Sequence, residues 1–342
     1  MSVETHMRRE ILEIPSAIEN LLSKGAGEMR AAADALREKD PAFFISIARG
    51  SSDHAATYFK YASELVAGVP VASVGPSIAS IYRRKLKLRM AASLAISQSG
   101  KSPDIVRMAE MAGKEGALSL ALTNHTDSDL AQVSQHALGL HAGVERSVAA
   151  TKTFVTSVVS AVWLLAEWQK DNALLDAIRV LPEALDAAAT QDWGDLVQDL
   201  SSAQSLFCLG RGPAFALSNE AALKFKETCQ LHAESYSSAE VLHGPVSIVD
   251  RGFPVLVLCP GDAAEASVVE VADQIASKGA KVFISSDRSG RANRLPAART
   301  GHPVTDPISL IVSFYAMVEQ VARARGINPD EPRHLKKVTE TV

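Results

Sequence analysis

Two Arg-Gly pairs, each closing a short apolar run, constrain this chain more than any other feature. FFISIARG (43–50) and LFCLGRG (206–212) place Arg49-Gly50 and Arg211-Gly212 162 residues apart. After the first, SLAIS (93–97) leads through a helical stretch into KEGALSLALTN (114–124); after the second, VLVLCPG (255–261) leads through a helical stretch into SKGAKVFISSD (277–287). Gly116 and Gly279, in those segments, are 163 residues apart. Two anchors at nearly one offset read as a doubled α/β unit. The runs 43–48, 92–96 and 119–122 show no polar alternation, the pattern of strands covered on both faces, so each sheet should be mostly parallel. Strands alternating with helices predict an open, doubly wound sheet flanked by helices, with ligands at the carboxyl ends of the strands.

The expected organisation is a lead helix over 1–26, a first α/β domain with connecting helices over 27–190, a second over 191–325, and a tail over 326–342. The tail turns at Asn328-Pro329 and Glu331-Pro332 and has no strand character. A chain that is 47% hydrophobic and 22% charged is neither disordered nor fibrous. Its net charge of −4 gives no electrostatic case for nucleic acid or an anionic membrane. Three scattered cysteines, Cys208, Cys229 and Cys259, argue against a disulfide frame or a zinc site. The charged N-terminus lacks the apolar core of a secretory signal, and the longest uncharged stretch, 153–166, reads as a buried helix too short to span a bilayer. A soluble cytoplasmic protein is expected.

The chemistry-bearing motifs stand at strand ends. SQSGKSPD (97–104) follows a strand directly and brings Ser97, Gln98, Ser99 and Ser102 into one turn, with Ser102 at the cap and Pro103 at the first helical position. Free backbone N–H groups, the helix dipole and neutral hydroxyl donors suit a phosphate monoester. The plainer reading is a capped helix and nothing more. AISQSGKS (95–102) also approaches a nucleotide P-loop, but Ala95 stands where the first glycine belongs. In ARGSSDHA (48–55), Ser51 and Ser52 offer hydroxyls to the same ligand, while Asp53 and His54 read as helix-start and surface groups.

A helix expected over 218–231 carries Glu220, Lys224 and Glu227 at i, i+4 and i+7, one stripe of one face. Charges so spaced usually form a solvated ladder. A buried carboxylate beside a lysine would instead serve as a proton shuttle between adjacent carbons. His243-Gly244-Pro245 presents an imidazole in a turn, or a surface histidine. The tail PRHLKKVTETV ends in Arg333, Lys336 and Lys337, a solvated end unless it folds back to offer an amine to an open-chain sugar.

Together these residues resemble the sugar isomerase (SIS) superfamily. Within it they are most similar to the isomerase domain of glutamine–fructose-6-phosphate amidotransferases. MRREILEIPSAI (7–18), RGSS (49–52), SQSGKSPD (97–104), VERSVAATKTF (144–154), EAALKFKE (220–227), HAESYSSAEVLHGP (232–245) and the tail carry the likeness in order along the chain. The resemblance implies a fold of two tandem SIS subdomains and a hexose-6-phosphate or aminohexose-6-phosphate substrate. The phosphate would be held by Ser97, Gln98, Ser99, Ser102 and Ser52. Ser51, Glu145, Val148, Ala149, Arg333 and Lys336 would stand near the sugar. It further implies Glu227 as the base moving a proton between carbons 1 and 2 with help from Lys224. His243 would open the ring from a neighbouring subunit of a homodimer, and Lys337 would take the place of a Schiff-base lysine. No metal or other cofactor is implied. Ser2 stands where the amidotransferases have a nucleophilic cysteine, and the first cysteine is Cys208, so no glutaminase domain is expected. Lys101 replaces an acidic residue of the loop, and Ala150 and Lys336 replace a serine and an alanine. The ending resembles stand-alone SIS-type glucosamine-6-phosphate deaminases, so the expected reaction is glucosamine-6-phosphate plus water to fructose-6-phosphate and ammonia. Deamination or isomerisation of another (amino)sugar phosphate, a glutamine-independent isomerase domain that forms glucosamine-6-phosphate, and a non-catalytic sugar-phosphate sensor are the alternatives.

Overall fold

The computed structural model of the chain describes residues 4–337. They divide into two compact units, one holding residues 16–145 and 152–179, the other 4–15, 146–151 and 180–337. The first unit contains strands β1 (Phe43–Ile47), β2 (Val71–Ser73), β3 (Ala91–Ile96), β4 (Leu118–Thr123) and β5 (His136–Gly139), all parallel, in the order β2-β1-β3-β4-β5. The second contains β6 (Ser205–Gly210), β7 (His232–Ser237), β8 (Pro254–Val257), β9 (Lys281–Ile284) and β10 (Asn293–Arg294), also parallel. Its order, β10-β9-β8-β6-β7, is that of the first sheet read from the other edge.

The repeat extends to register. Phe44 pairs with Val71 and Leu206 with Ala233; Ile45 pairs with Ser93 and Phe207 with Val255, every position displaced by 162. The displacement becomes 163 at the next strand, where Ala92–Leu118 matches Pro254–Lys281. It fails only at the last strand, because the first sheet inserts a helix, Asp129–Val133, before β5 and the second does not insert one before β10. The central strands β3 and β4 are buried at every residue, whereas the edge strand β10 is exposed. Full burial explains the unalternated apolar runs.

Helices follow the strands as the alternation requires: α1 (Ser51–Val66), α2 (Pro103–Lys114), α3 (Lys152–Gln169), α4 (Pro213–Cys229), α5 (Glu265–Ser277) and α6 (Asp306–Ala324). α3, which contains the uncharged stretch 153–166, is buried except at Glu167 and Gln169 and packs on α1. In its unit Phe44 meets Phe59 and Trp168 edge-on, with ring centres 5.1 and 5.7 Å apart. In the other unit α4 packs on α6, and Phe225 meets Phe314 edge-on at 5.2 Å. α4 begins at Pro213, five residues before the expected start. Pro213 takes the first helical position after Gly212, and its lost N–H is one that a helix start leaves unbonded anyway. Among the described residues no helix is long and apolar enough to cross a membrane.

Candidate functional site

Both Arg-Gly pairs end in a glycine of the same unusual conformation, Gly50 at φ +56, ψ −133 and Gly212 at φ +56, ψ −135. A side chain rarely tolerates that backbone, which turns each strand sharply into its helix. In the first unit this puts half-buried Ser51 and Ser52 in the opening turn of α1, with Asp53 beside them. Burial raises the Asp53 carboxyl above its ordinary value, and His54 and Arg49 pull it back.

The turn from β3 to α2 is fixed from outside and within. Asn124 N–H donates to the Gln98 carbonyl and Leu130 N–H to the Gly100 carbonyl, both at 3.1 Å. Gly100 N–H donates to Ser97 Oγ at 3.2 Å and Lys101 N–H to Ser99 Oγ at 3.4 Å. Gly100 has φ +62, and a Cβ there would lie 2.1 Å from Ser128 Oγ, so this position accepts only glycine. Lys101 is exposed. Ser102 occupies the cap position with extended backbone, yet its hydroxyl makes no capping bond. The helix starts after Ser102 as expected, but the buried Asp104 carboxylate, not the Ser102 hydroxyl, takes the Ile105 N–H, at 2.9 Å. Arg49 Nε lies 2.6 Å from the same carboxylate and ties the β1 turn to the β3 turn. This pair escaped the sequence reading because its members are 55 residues apart. Glu145, buried in this unit, accepts from Thr153 N–H at 3.1 Å and Thr153 Oγ1 at 2.6 Å, and so holds the start of α3.

In the second unit the charged stripe of α4 is no solvated ladder. Lys224 Nζ lies 3.1 Å from Glu220 Oε1 and 2.6 Å from Glu227 Oε2, with Lys224 and Glu220 fully buried. Tyr315 of α6, also buried, donates its hydroxyl to Glu220 Oε1 at 3.1 Å. Burial by itself would lower the Lys224 ammonium, but the two carboxylates overcome it and hold its pKa well above the ordinary lysine value. Glu227 alone of the three reaches the surface, its side chain 21% exposed. The result is a carboxylate open on one side and gripped by a permanent cation on the other, the arrangement that proton transfer to a bound molecule requires.

The remaining sequence candidates are distributed unevenly. Ala149 is buried, and Val148, half-buried, donates its N–H to the Asp330 carbonyl at 3.4 Å. Lys337 Nζ donates to the Ser147 carbonyl at 2.6 Å, so the tail folds back as far as this loop. Arg333 and Lys336 are exposed. His243 is exposed at the end of a 3₁₀ turn, Glu240–His243.

The SIS-domain family model matches residues 36–167 and 199–321. A glutamine–fructose-6-phosphate aminotransferase of Sulfolobus acidocaldarius is 31% identical over 97% of this chain, and the chain spans 56% of that relative's length. The Escherichia coli enzyme of the same name is 28% identical, with 97% and 58% covered. A Silicibacter pomeroyi structure, named as a candidate phosphosugar isomerase, is 59% identical and superposes with a TM-score of 0.93 over 96% of this chain and all of its own. Glucosamine-6-phosphate deaminase of Thermotoga maritima, at 21% identity and a TM-score of 0.78 over 98% of this chain and all of its own, shares the fold.

Proposed function

Since the chain belongs to the SIS-domain family, we propose that this phosphosugar isomerase relative acts as a glucosamine-6-phosphate deaminase. The observation that carries this reading is the buried Glu220–Lys224–Glu227 group with one accessible carboxylate. Ser97, Gln98, Ser99, Ser102 and Ser52 take the phosphate, supported by a glycine-dependent turn whose cap hydroxyl is not committed to its helix. His243, supplied by the second subunit of a homodimer, opens the ring. Glu227 then removes the proton at carbon 2 of the open-chain aldehyde as oxygen 1 gains one, giving an enaminol. Glu227 returns its proton to carbon 1, which leaves an iminium at carbon 2. Water adds there, and ammonia leaves with fructose-6-phosphate.

Lys224, 1% exposed, acts through Glu227 rather than by touching the sugar. It pins Oε2 and leaves the other oxygen to carry the proton. Positioned proton transfer of this kind contributes about 10²- to 10⁴-fold.

The test is ammonia and fructose-6-phosphate release from glucosamine-6-phosphate without glutamine. The Glu227→Gln variant should lose turnover while still binding the sugar phosphate. Parental turnover in that variant would overturn the assignment, and turnover confined to another aminosugar or ketose phosphate would move the substrate while keeping the base.

A further inference from the structure

Both stretches of described chain that flank the SIS matches, 4–35 and 322–337, contribute to a clasp inside the second unit. Helix His6–Leu12 starts with its His6 and Met7 N–H groups on the Asp330 carboxylate, at 2.7 and 2.8 Å. One turn on, Glu10 is 4% exposed, and its carboxylate accepts from the N–H of Arg146 and, at 3.2 Å, from that of Ser147. The next N–H, of Val148, goes to the Asp330 carbonyl, and the Ser147 carbonyl takes Lys337. Three successive amides of an irregular segment are thus held by two acidic residues far away in sequence. Such a segment has no regular hydrogen bonding of its own, so its course is set by these acceptors.

We infer that Glu10 and Asp330 are positioning residues for the 146–149 segment, and that through them the N-terminal helix is a working part of the sugar site. The inference rests on the proposed function at one point, the placing of Val148 and Ala149 against the sugar. Charge-assisted bonds to backbone N–H are the strong kind, so the segment's position depends on the Glu10 charge. A displacement of about 1 Å at such a site costs about 10²-fold in turnover.

The experiment uses the full chain with Glu10→Ala, Glu10→Gln, Asp330→Asn, Lys337→Ala and the Glu10→Ala/Lys337→Ala pair. Turnover of glucosamine-6-phosphate is measured beside calorimetric binding of sorbitol-6-phosphate, which has no carbonyl to react, and of inorganic phosphate. Glu10→Ala should lower kcat/KM about 10²-fold and weaken sorbitol-6-phosphate while inorganic phosphate binds as before. Glu10→Gln, which keeps one acceptor oxygen, should fall between. The double variant should lose less than the product of the single losses, because both residues act on one segment. Wild-type kcat/KM and sorbitol-6-phosphate affinity in folded Glu10→Ala would overturn the inference, as would equal weakening of both probes. If Glu10→Ala fails to fold, Glu10→Gln and Asp330→Asn decide by the same readouts. A wild-type chain that binds sorbitol-6-phosphate without deaminating sugar overturns the reaction only, and the variants' binding still decides the positioning.

Discussion

Replacing Lys224 by Met removes a charge and keeps most of the side chain's length. It leaves Glu220, with no exposed side-chain surface, bonded by the Tyr315 hydroxyl but without the Lys224 cation. Breaking a buried pair from one side costs about 3–5 kcal/mol, a large share of the ~5–15 kcal/mol that keeps a protein folded. The loss should also acquire a pH dependence. Without the ammonium, burial raises the Glu220 carboxyl above its usual value of about 4.3. A carboxyl whose folded pKa exceeds its unfolded one favours folding most below the unfolded value and progressively less as pH rises to the folded value. Thermal melts between pH 4 and 8 should therefore show Lys224→Met falling furthest below the parent at the alkaline end and closest to it near pH 4. Glu220→Gln/Lys224→Met should recover most of the deficit at pH 8, since a neutral amide still accepts from Tyr315. Turnover should stay lost in both, because Glu227 has lost its tether. A deficit independent of pH, or a double variant no better than the single, would refute the reasoning.

At Gly100, alanine must adopt φ +62 at about 1–2 kcal/mol and clear Ser128 Oγ, 2.1 Å from the new Cβ. KM for the sugar phosphate should rise at least about tenfold with kcat little changed, and Ser128→Gly in the same chain should restore part of it. Asp273 anchors a loop by accepting Ser289 Oγ at 2.6 Å and the N–H groups of Gly290, Arg291 and Ala292. Burial pushes its carboxyl up, but those four bonds hold it below the ordinary 3.8. Its contribution is therefore present above about pH 4 and lost as pH falls through the lowered value. Asp273→Asn should cost about 1 kcal/mol at pH 7, and the gap should close in acid when unfolding is followed by denaturant titration.

The parallel sheets were readable because total burial leaves a local mark, an apolar run bounded by Gly and Pro. The repeat was readable because Gly50 and Gly212 hold one strained conformation that few other residues tolerate. The state of the α4 stripe was not. Glu220, Lys224 and Glu227 have the spacing of a solvated ladder, yet Glu220 and Lys224 are buried, and Tyr315 of α6, which bonds Glu220, lies 95 residues on. Ser102 stands at the cap position the sequence assigns it, but Asp104 two residues later takes the nearby amide. The N-terminal helix was expected, but not its role, since its partners Arg146, Ser147 and Asp330 lie 136 to 324 residues away and leave no periodic trace.

The shared register lets the two sheets be compared position by position. Where the first half has the hydroxyl turn Ser97–Ser102, the second has Cys259, Pro260, Gly261, Asp262, Ala263 and Ala264; where the second half has Glu220, Lys224 and Glu227, the first has Tyr58, Ala62 and Leu65. Neither half could be cut free and remain a miniature of the whole. A single half would therefore repeat the scaffold of its twin while lacking either the hydroxyl turn or the charged stripe.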